Sequence, residues 1–136
     1  MIWVVDTSAI VRLFIPDGPF HPEIEAAMNR AMHGSDVVLA PDLMLAESAN
    51  VLLRKQRRGE LSSGEVVEII EAIASLPVRI EPHAPLLVAA FSLADTHDLT
   101  VYDALYLALA ERHGARLMTC DDQLDRVAKT MGLGSP

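Results

Sequence analysis

The sequence predicts an α/β fold: a single domain over residues 1–136, built on a central, mostly parallel sheet of four or five strands with helices on both faces. Three observations predict it. Short apolar runs alternate with longer amphipathic ones along the whole chain. The run Ile2-Trp3-Val4-Val5 is apolar at every position rather than every second one, as strands covered on both faces are. The segments between the runs are long enough for the helical crossovers that parallel neighbours require.

The elements follow in order. Ile2 to Asp6 reads as a strand, and Thr7 to Phe14 as a short helix stopped near Pro16. Pro22 to Met32 reads as a helix with proline in its first turn, where a missing N–H costs nothing. Val37 to Ala40 is a short buried strand, and Asp42 to Arg58 a long helix stopped at Gly59. Ser62 or Ser63 can cap the next helix, which runs to about Ser75. Val78 to Glu81 is a third strand, and Ala84 to His97 and Val101 to His113 are two further helices. Ala115 to Thr119 is the fourth strand, and Asp122 to Met131 the last helix. Gly132 to Pro136 has no strand pattern, so any fifth strand is short or absent.

A chain of 136 residues that is 51% apolar can bury a substantial core. Its apolar runs, such as Leu86 to Phe91, are far too short for a membrane span. The N-terminus has no basic lead-in of the kind a signal peptide carries, so a cytoplasmic protein is expected. Cys120 is the one cysteine, which excludes an internal disulfide and any CxxC metal site; it reads as a small residue following a strand. The net charge of −8 opposes binding of nucleic acid by phosphate neutralisation alone. Bound divalent cations would cancel part of that charge, and Arg54, Lys55, Arg57 and Arg58 form a basic cluster at a helix end.

Four acids occupy settings that would aim them at one place. In open parallel sheets, ligands bind beyond the carboxyl ends of the strands. Asp6 and Asp121 fall at such ends, each just before a helix. Thr100 and Asp103 have the spacing of a capping box, with Asp103 in the first helical turn. Glu47 lies mid-helix, sharing a face with Leu43, Asn50, Val51 and Arg54, so that an acid, an amide and a guanidinium form a polar stripe. Carboxylates gathered in this way repel one another unless a cation joins them, and hard divalent ions take oxygen ligands of this kind. The pattern points to metal-assisted phosphodiester chemistry.

These residues carry a resemblance. Val5-Asp6-Thr7-Ser8-Ala9, Glu47 with Asn50, Thr100-Val101-Tyr102-Asp103-Ala104-Leu105-Tyr106 with Ala108, and Leu117-Met118-Thr119-Cys120-Asp121 stand in an order and spacing similar to PIN-domain ribonucleases of the VapC toxin type, over nearly the whole chain. The resemblance implies an endoribonuclease dependent on Mg²⁺ or Mn²⁺. Asp6, Glu47, Asp103 and Asp121 would be its acidic, metal-holding quartet, and attack by an activated water would leave a 5′-phosphate and a 3′-hydroxyl. Ser8 and Thr119 would support the site through hydrogen bonds. Asn50 would orient Glu47 or touch a phosphate. Arg54, one turn further along the helix, is a candidate for pairing with substrate phosphate. The family also implies a small VapB-like antitoxin that can push a basic side chain into the acidic pocket, and a homodimer. The undefined strand after Lys129 is the one departure from the pattern.

Other readings fit less well. A haloacid-dehalogenase-like phosphatase needs a second Asp where Ser8 stands. A nucleotide-binding dehydrogenase lacks GxGxxG, and a serine hydrolase its G-x-S-x-G elbow. A catalytically silent RNA-binding or scaffolding module would be expected to lose carboxylates, and all four are present. A housekeeping RNA-processing nuclease of this family often carries added domains. His21, His33, His83, His97 and His113 have no metal-ligand spacing and read as surface residues. Tyr102 and Tyr106, four apart on a helix, read as packing residues rather than base-stacking platforms.

Overall fold

Val4 and Val5 are fully buried, and so are Leu39 and Ala40 in the neighbouring strand. Successive strand residues face opposite ways, so burial of consecutive residues means that both faces of the sheet are covered. The computed structural model describes residues 1–18 and 20–136. Among these it forms four strands, β1 (Ile2–Val5), β2 (Val37–Pro41), β3 (Arg79–Glu81) and β4 (Arg116–Met118). The helices are α1 (Thr7–Arg12), α2 (Ile24–Met32), α3 (Leu43–Arg57), α4 (Ser63–Ala74), α5 (Leu87–His97), α6 (Val101–His113) and α7 (Asp122–Thr130).

The strands form one sheet in the order β3-β2-β1-β4, and every pairing is parallel. Chain order runs outward from β1 to β3 on one side and then crosses back to β4 on the other. The direction therefore reverses between β1 and β4, and the crevice beyond their carboxyl ends is the natural ligand position of such a sheet. Val5 pairs with Met118, which sets the residues just past each strand, Asp6 and Thr119, side by side.

Helix α6 is the centre of the core. Ala104 through Ala110 are all buried, and the helix packs on β1, β2 and α5. Buried along most of its length, the helix carries its charged groups near its ends, and the one hydroxyl within the buried run, that of Tyr106, is held by specific partners. Gly114 closes it in the left-handed region (φ 59°), which frees the chain to turn into β4. At the far end of the sheet, Asp36 is buried beneath three donors: Arg30 Nε at 2.7 Å, Trp3 Nε1 at 3.0 Å and the Met1 amino group at 3.2 Å. Burial pushes its carboxyl up, but these three donors outweigh it and hold the pKa at about 2.

The predicted elements are present, with shifted ends. Helix α1 stops at Arg12 rather than Phe14, because Pro16 disfavours helical geometry at Ile15. The predicted helix from Ala84 begins as a 3₁₀ turn, Ala84–Leu86, and becomes α-helical only at Leu87. Ser62 caps α4 in a complete box with Glu65. The fifth strand reduces to a single parallel bridge, Leu117 to Gly134. Leu117 N–H donates to the Leu133 carbonyl at 2.7 Å, and Ser135 Oγ donates to the Leu117 carbonyl at 3.1 Å. The tail thus covers the outer edge of β4.

Candidate active site

Asp6 ends β1 and caps α1. Its Oδ1 accepts from Ala9 N–H at 3.0 Å and from Ser8 Oγ at 2.7 Å, and its Oδ2 from Thr119 Oγ1 at 2.5 Å. Thr119 in turn accepts from Asp121 N–H at 3.0 Å, while Ser8 Oγ accepts from Cys120 N–H at 2.9 Å. The two hydroxyls therefore clamp the β1 and β4 ends together around one carboxylate. Asp6 is 5% exposed. Burial is the largest influence on it and raises its pKa to about 6, against the opposing pull of the Thr119, Ala9 and Ser8 donors; the Asp103 charge adds to the rise.

Asp121 caps α7, with Oδ1 accepting from Leu124 N–H at 2.8 Å. Asp103 lies in the first turn of α6, where its N–H donates to Thr100 Oγ1 at 3.1 Å. This half of the capping box fixes the backbone while the carboxylate lines a cavity. Partial burial raises the Asp103 pKa first, and the Asp121 and Glu47 charges raise it further. Glu47 projects from α3, with Oε1 accepting from Tyr106 OH at 2.6 Å and from Thr7 Oγ1 at 3.2 Å. Thr7 Oγ1 and Tyr106 OH also lie 2.9 Å apart, closing a triangle of hydroxyls on the carboxylate.

All four predicted acids thus border one cavity of about 350 Å³, with Thr7, Ser8 and Tyr106 among them. They come from the end of β1, the middle of α3, the start of α6 and the start of α7. Asn50 and Arg54 do not border it; both are exposed on α3. The α3 residues on the cavity are Glu47, Val51 and Lys55, spaced by four, so the stripe follows the i, i+4, i+8 line rather than the i+3, i+7 line through Asn50 and Arg54. Arg12, Asp17 and the hydroxyl of Tyr106 had no site role in the sequence reading, Thr7 was named only within the Asp6 motif and Lys55 only within a basic cluster, yet all border the cavity. Tyr106 does pack, at 1% exposure, whereas Tyr102 is exposed and does not; the position of Tyr106 three residues after Asp103 was the available sign that its hydroxyl could join the site.

The donor set suits a hard divalent cation: the acids offer only oxygen, and the Asp121 and Glu47 charges, which add to burial in raising the Asp103 carboxyl, are what a cation would offset. Among the described residues, no three Asp, Glu, His or Cys side chains converge closely enough as they stand to hold one ion.

Comparison with known proteins gives the same frame. A family model described as the PIN domain matches residues 3–130. A protein named ribonuclease VapC3 from Pyrobaculum aerophilum is 37% identical over 123 residues, covering 89% of this chain and 90% of that protein. Ribonuclease VapC3 from Mycobacterium tuberculosis is 38% identical over 124 residues, covering 90% and 85%. The fold matches the crystal structure of PAE2754 from P. aerophilum, with a TM-score of 0.71 and 22% identity over 93% of this chain and 78% of that one. It also matches M. tuberculosis VapC20, described as a sarcin-ricin loop cleaving toxin, with a TM-score of 0.63 and 21% identity over 92% of this chain and 94% of that one. With a β1–β4 crevice closed by acids from four elements and relatives of this kind along nearly its whole length, the chain belongs to the PIN-domain family, in the company of the VapC ribonucleases.

Proposed function

We propose that this protein is an endoribonuclease toxin of the VapC type, hydrolysing RNA phosphodiester bonds with the help of Mg²⁺ or Mn²⁺. The observation that carries the reading is the meeting of Asp6, Glu47, Asp103 and Asp121 at one cavity beyond the β1 and β4 ends. Relatives named ribonuclease VapC at 37 and 38% identity support the nuclease class.

Asp6, Glu47, Asp103 and Asp121 would hold the ion. When bound, a divalent cation supplies a nucleophile at neutral pH and neutralises charge on the phosphate oxygens. The chain's own residues do the positioning. Ser8 and Thr119 fix the Asp6 carboxylate, so that it presents one orientation to the cavity. Tyr106 and Thr7 do the same for Glu47, and both of their bonds end on Oε1. Because those donors are set by the fold, little reorganisation is needed when substrate arrives.

The reading extends to a VapB-like antitoxin as partner. An anionic cavity is a receptor for an arginine side chain, so a basic antitoxin segment that entered it would block the acids. A homodimer is part of the same proposal. Among the described residues no helix is long and apolar enough to cross a membrane. The test is cleavage of a labelled RNA pool with Mg²⁺, Mn²⁺ or EDTA, beside Asp6→Asn. Metal-dependent cutting that is lost in the variant is expected. Cutting that survives in EDTA or in Asp6→Asn contradicts the proposed mechanism.

A further inference from the structure

The cavity is not acidic throughout. Arg12 from α1 and Lys55 from α3 also border it, and both lie near Asp17 of the loop after α1. Lys55 is 8% exposed, which is rare for a lysine unless it is paired. It is paired twice: its ammonium donates to Asp17 Oδ2, and Glu60 Oε2 lies 3.5 Å away. Both carboxylates are about half exposed, at 48%, so the anions that hold Lys55 are themselves open to solvent and replaceable. Arg12 lies against the backbone at Gly18, where a Cβ would run into its guanidinium. Its charge, like those of Lys55 and Arg58, also bears on Asp17.

Glu47 and Lys55 share one helical face two turns apart, about 12 Å along the axis. That is too far for both to serve one phosphate by default, yet both border the same cavity. A strand whose scissile phosphate lies among the acids would run a neighbouring phosphate towards the two cations.

Building on the nuclease reading above, we propose that Lys55, with Arg12, forms a subsite for an RNA backbone phosphate flanking the scissile one, and that Asp17 occupies the Lys55 ammonium until RNA displaces it. The arrangement answers a problem posed by the chain's charge. A protein at −8 with a concentration of carboxylates at its cleft repels RNA, and a cation held within the same cleft offsets that repulsion locally. The Asp17 pair keeps the ammonium in place without burying an uncompensated charge.

The two partners give variants of opposite sign. A fluorescein-labelled single-stranded RNA of mixed sequence is titrated with the full-length protein in EDTA, where the proposed reaction does not run, across a series of KCl concentrations. Lys55→Met is expected to weaken binding by about tenfold, the loss of one charge-assisted hydrogen bond. It should also make the salt slope shallower by about 0.7, the value of one phosphate contact on a single strand. Lys55→Arg should retain the slope, and Asp17→Asn should tighten binding by removing the competing anion. An unchanged slope in Lys55→Met, binding no tighter in Asp17→Asn, or wild-type protein that binds no RNA would each overturn the subsite. Cleavage of the same RNA with Mg²⁺ or Mn²⁺ separates the two proposals. Lys55-dependent binding without cutting leaves the subsite standing and removes the nuclease, whereas cutting with Lys55-independent affinity does the reverse.

Discussion

Asp6 carries the largest consequence of any single residue. Its carboxyl is ordinarily half-ionised near pH 3.8 and is raised by burial to about 6. Between those values the folded protein holds a proton that the unfolded chain releases, so metal-free stability falls as pH rises from about 4 through 6. Asp103 adds to the fall, its carboxyl being raised for the same reason. Asp6→Asn in EDTA is therefore expected to unfold at a higher denaturant concentration than wild type at pH 7, with the advantage shrinking towards pH 4; urea titrations at both values check this. A cation competes with that proton, so the rise in melting temperature caused by Mg²⁺ should be larger at pH 7 than at pH 5. Equal shifts at both values would remove Asp6 from the ligand set. Tyr106→Phe keeps the buried ring and deletes only the hydroxyl on Glu47, at an expected cost of about 1 kcal/mol measured by urea. It should also lower RNA cleavage, because Glu47 loses its shortest restraint. At this scale the acids were legible because each stands at a strand end, in a helical first turn or against the apolar grain of its helix. Lys55 was not, because Arg54 and Lys55 are adjacent cations on a helix whose exact facing depends on how α3 packs.

At the scale of elements, the caps couple stability to chemistry. Asp6 directly follows β1 and Asp121 lies three residues past β4, and each caps a helix and borders the cavity at once. Replacing Asp121 with Ala removes the Leu124 cap, worth about 1 kcal/mol, but also relieves repulsion at Asp103. Replacing it with Asn keeps an acceptor for the cap and removes the charge. The Asn variant should therefore be the more stable of the two in EDTA by thermal melting, while both lose cleavage. Helix α6 was legible as an element, though not as the centre of the core. Its run from Ala104 to Ala110 is buried at every position, a fact about neighbouring layers that no helical period discloses. The edge after α7 was hard to read for a related reason. Gly134 and its neighbours make one bridge to β4 through backbone atoms, and their side chains need no strand pattern.

For the whole molecule, the β3-β2-β1-β4 order decides where chemistry can occur, because only one crevice of the sheet lies where the chain direction reverses. The opposite end of the sheet serves stability instead. Asp36, held at a pKa of about 2 by Arg30, Trp3 and the Met1 amino group despite its burial, contributes stability above about pH 4 that is lost as pH falls through 2. Asp36→Asn should leave RNA cleavage per folded molecule unchanged while flattening the acid limb of the stability curve. The overall architecture was readable from alternation of apolar runs. The strand order was not, since it depends on which side of β1 each crossover returns to.

In the proposed mechanism, four carboxylates at the β1–β4 crevice hold a divalent ion that supports RNA cleavage. The most direct measurement is cleavage of a mixed labelled RNA pool by the purified protein with Mg²⁺, Mn²⁺ or EDTA, with Asp6→Asn beside it and calorimetric titration of metal into both. Cutting is expected only with metal and only by wild type, with metal uptake reduced in the variant. Cleavage in EDTA, or metal uptake that is the same in Asp6→Asn as in wild type, would contradict it.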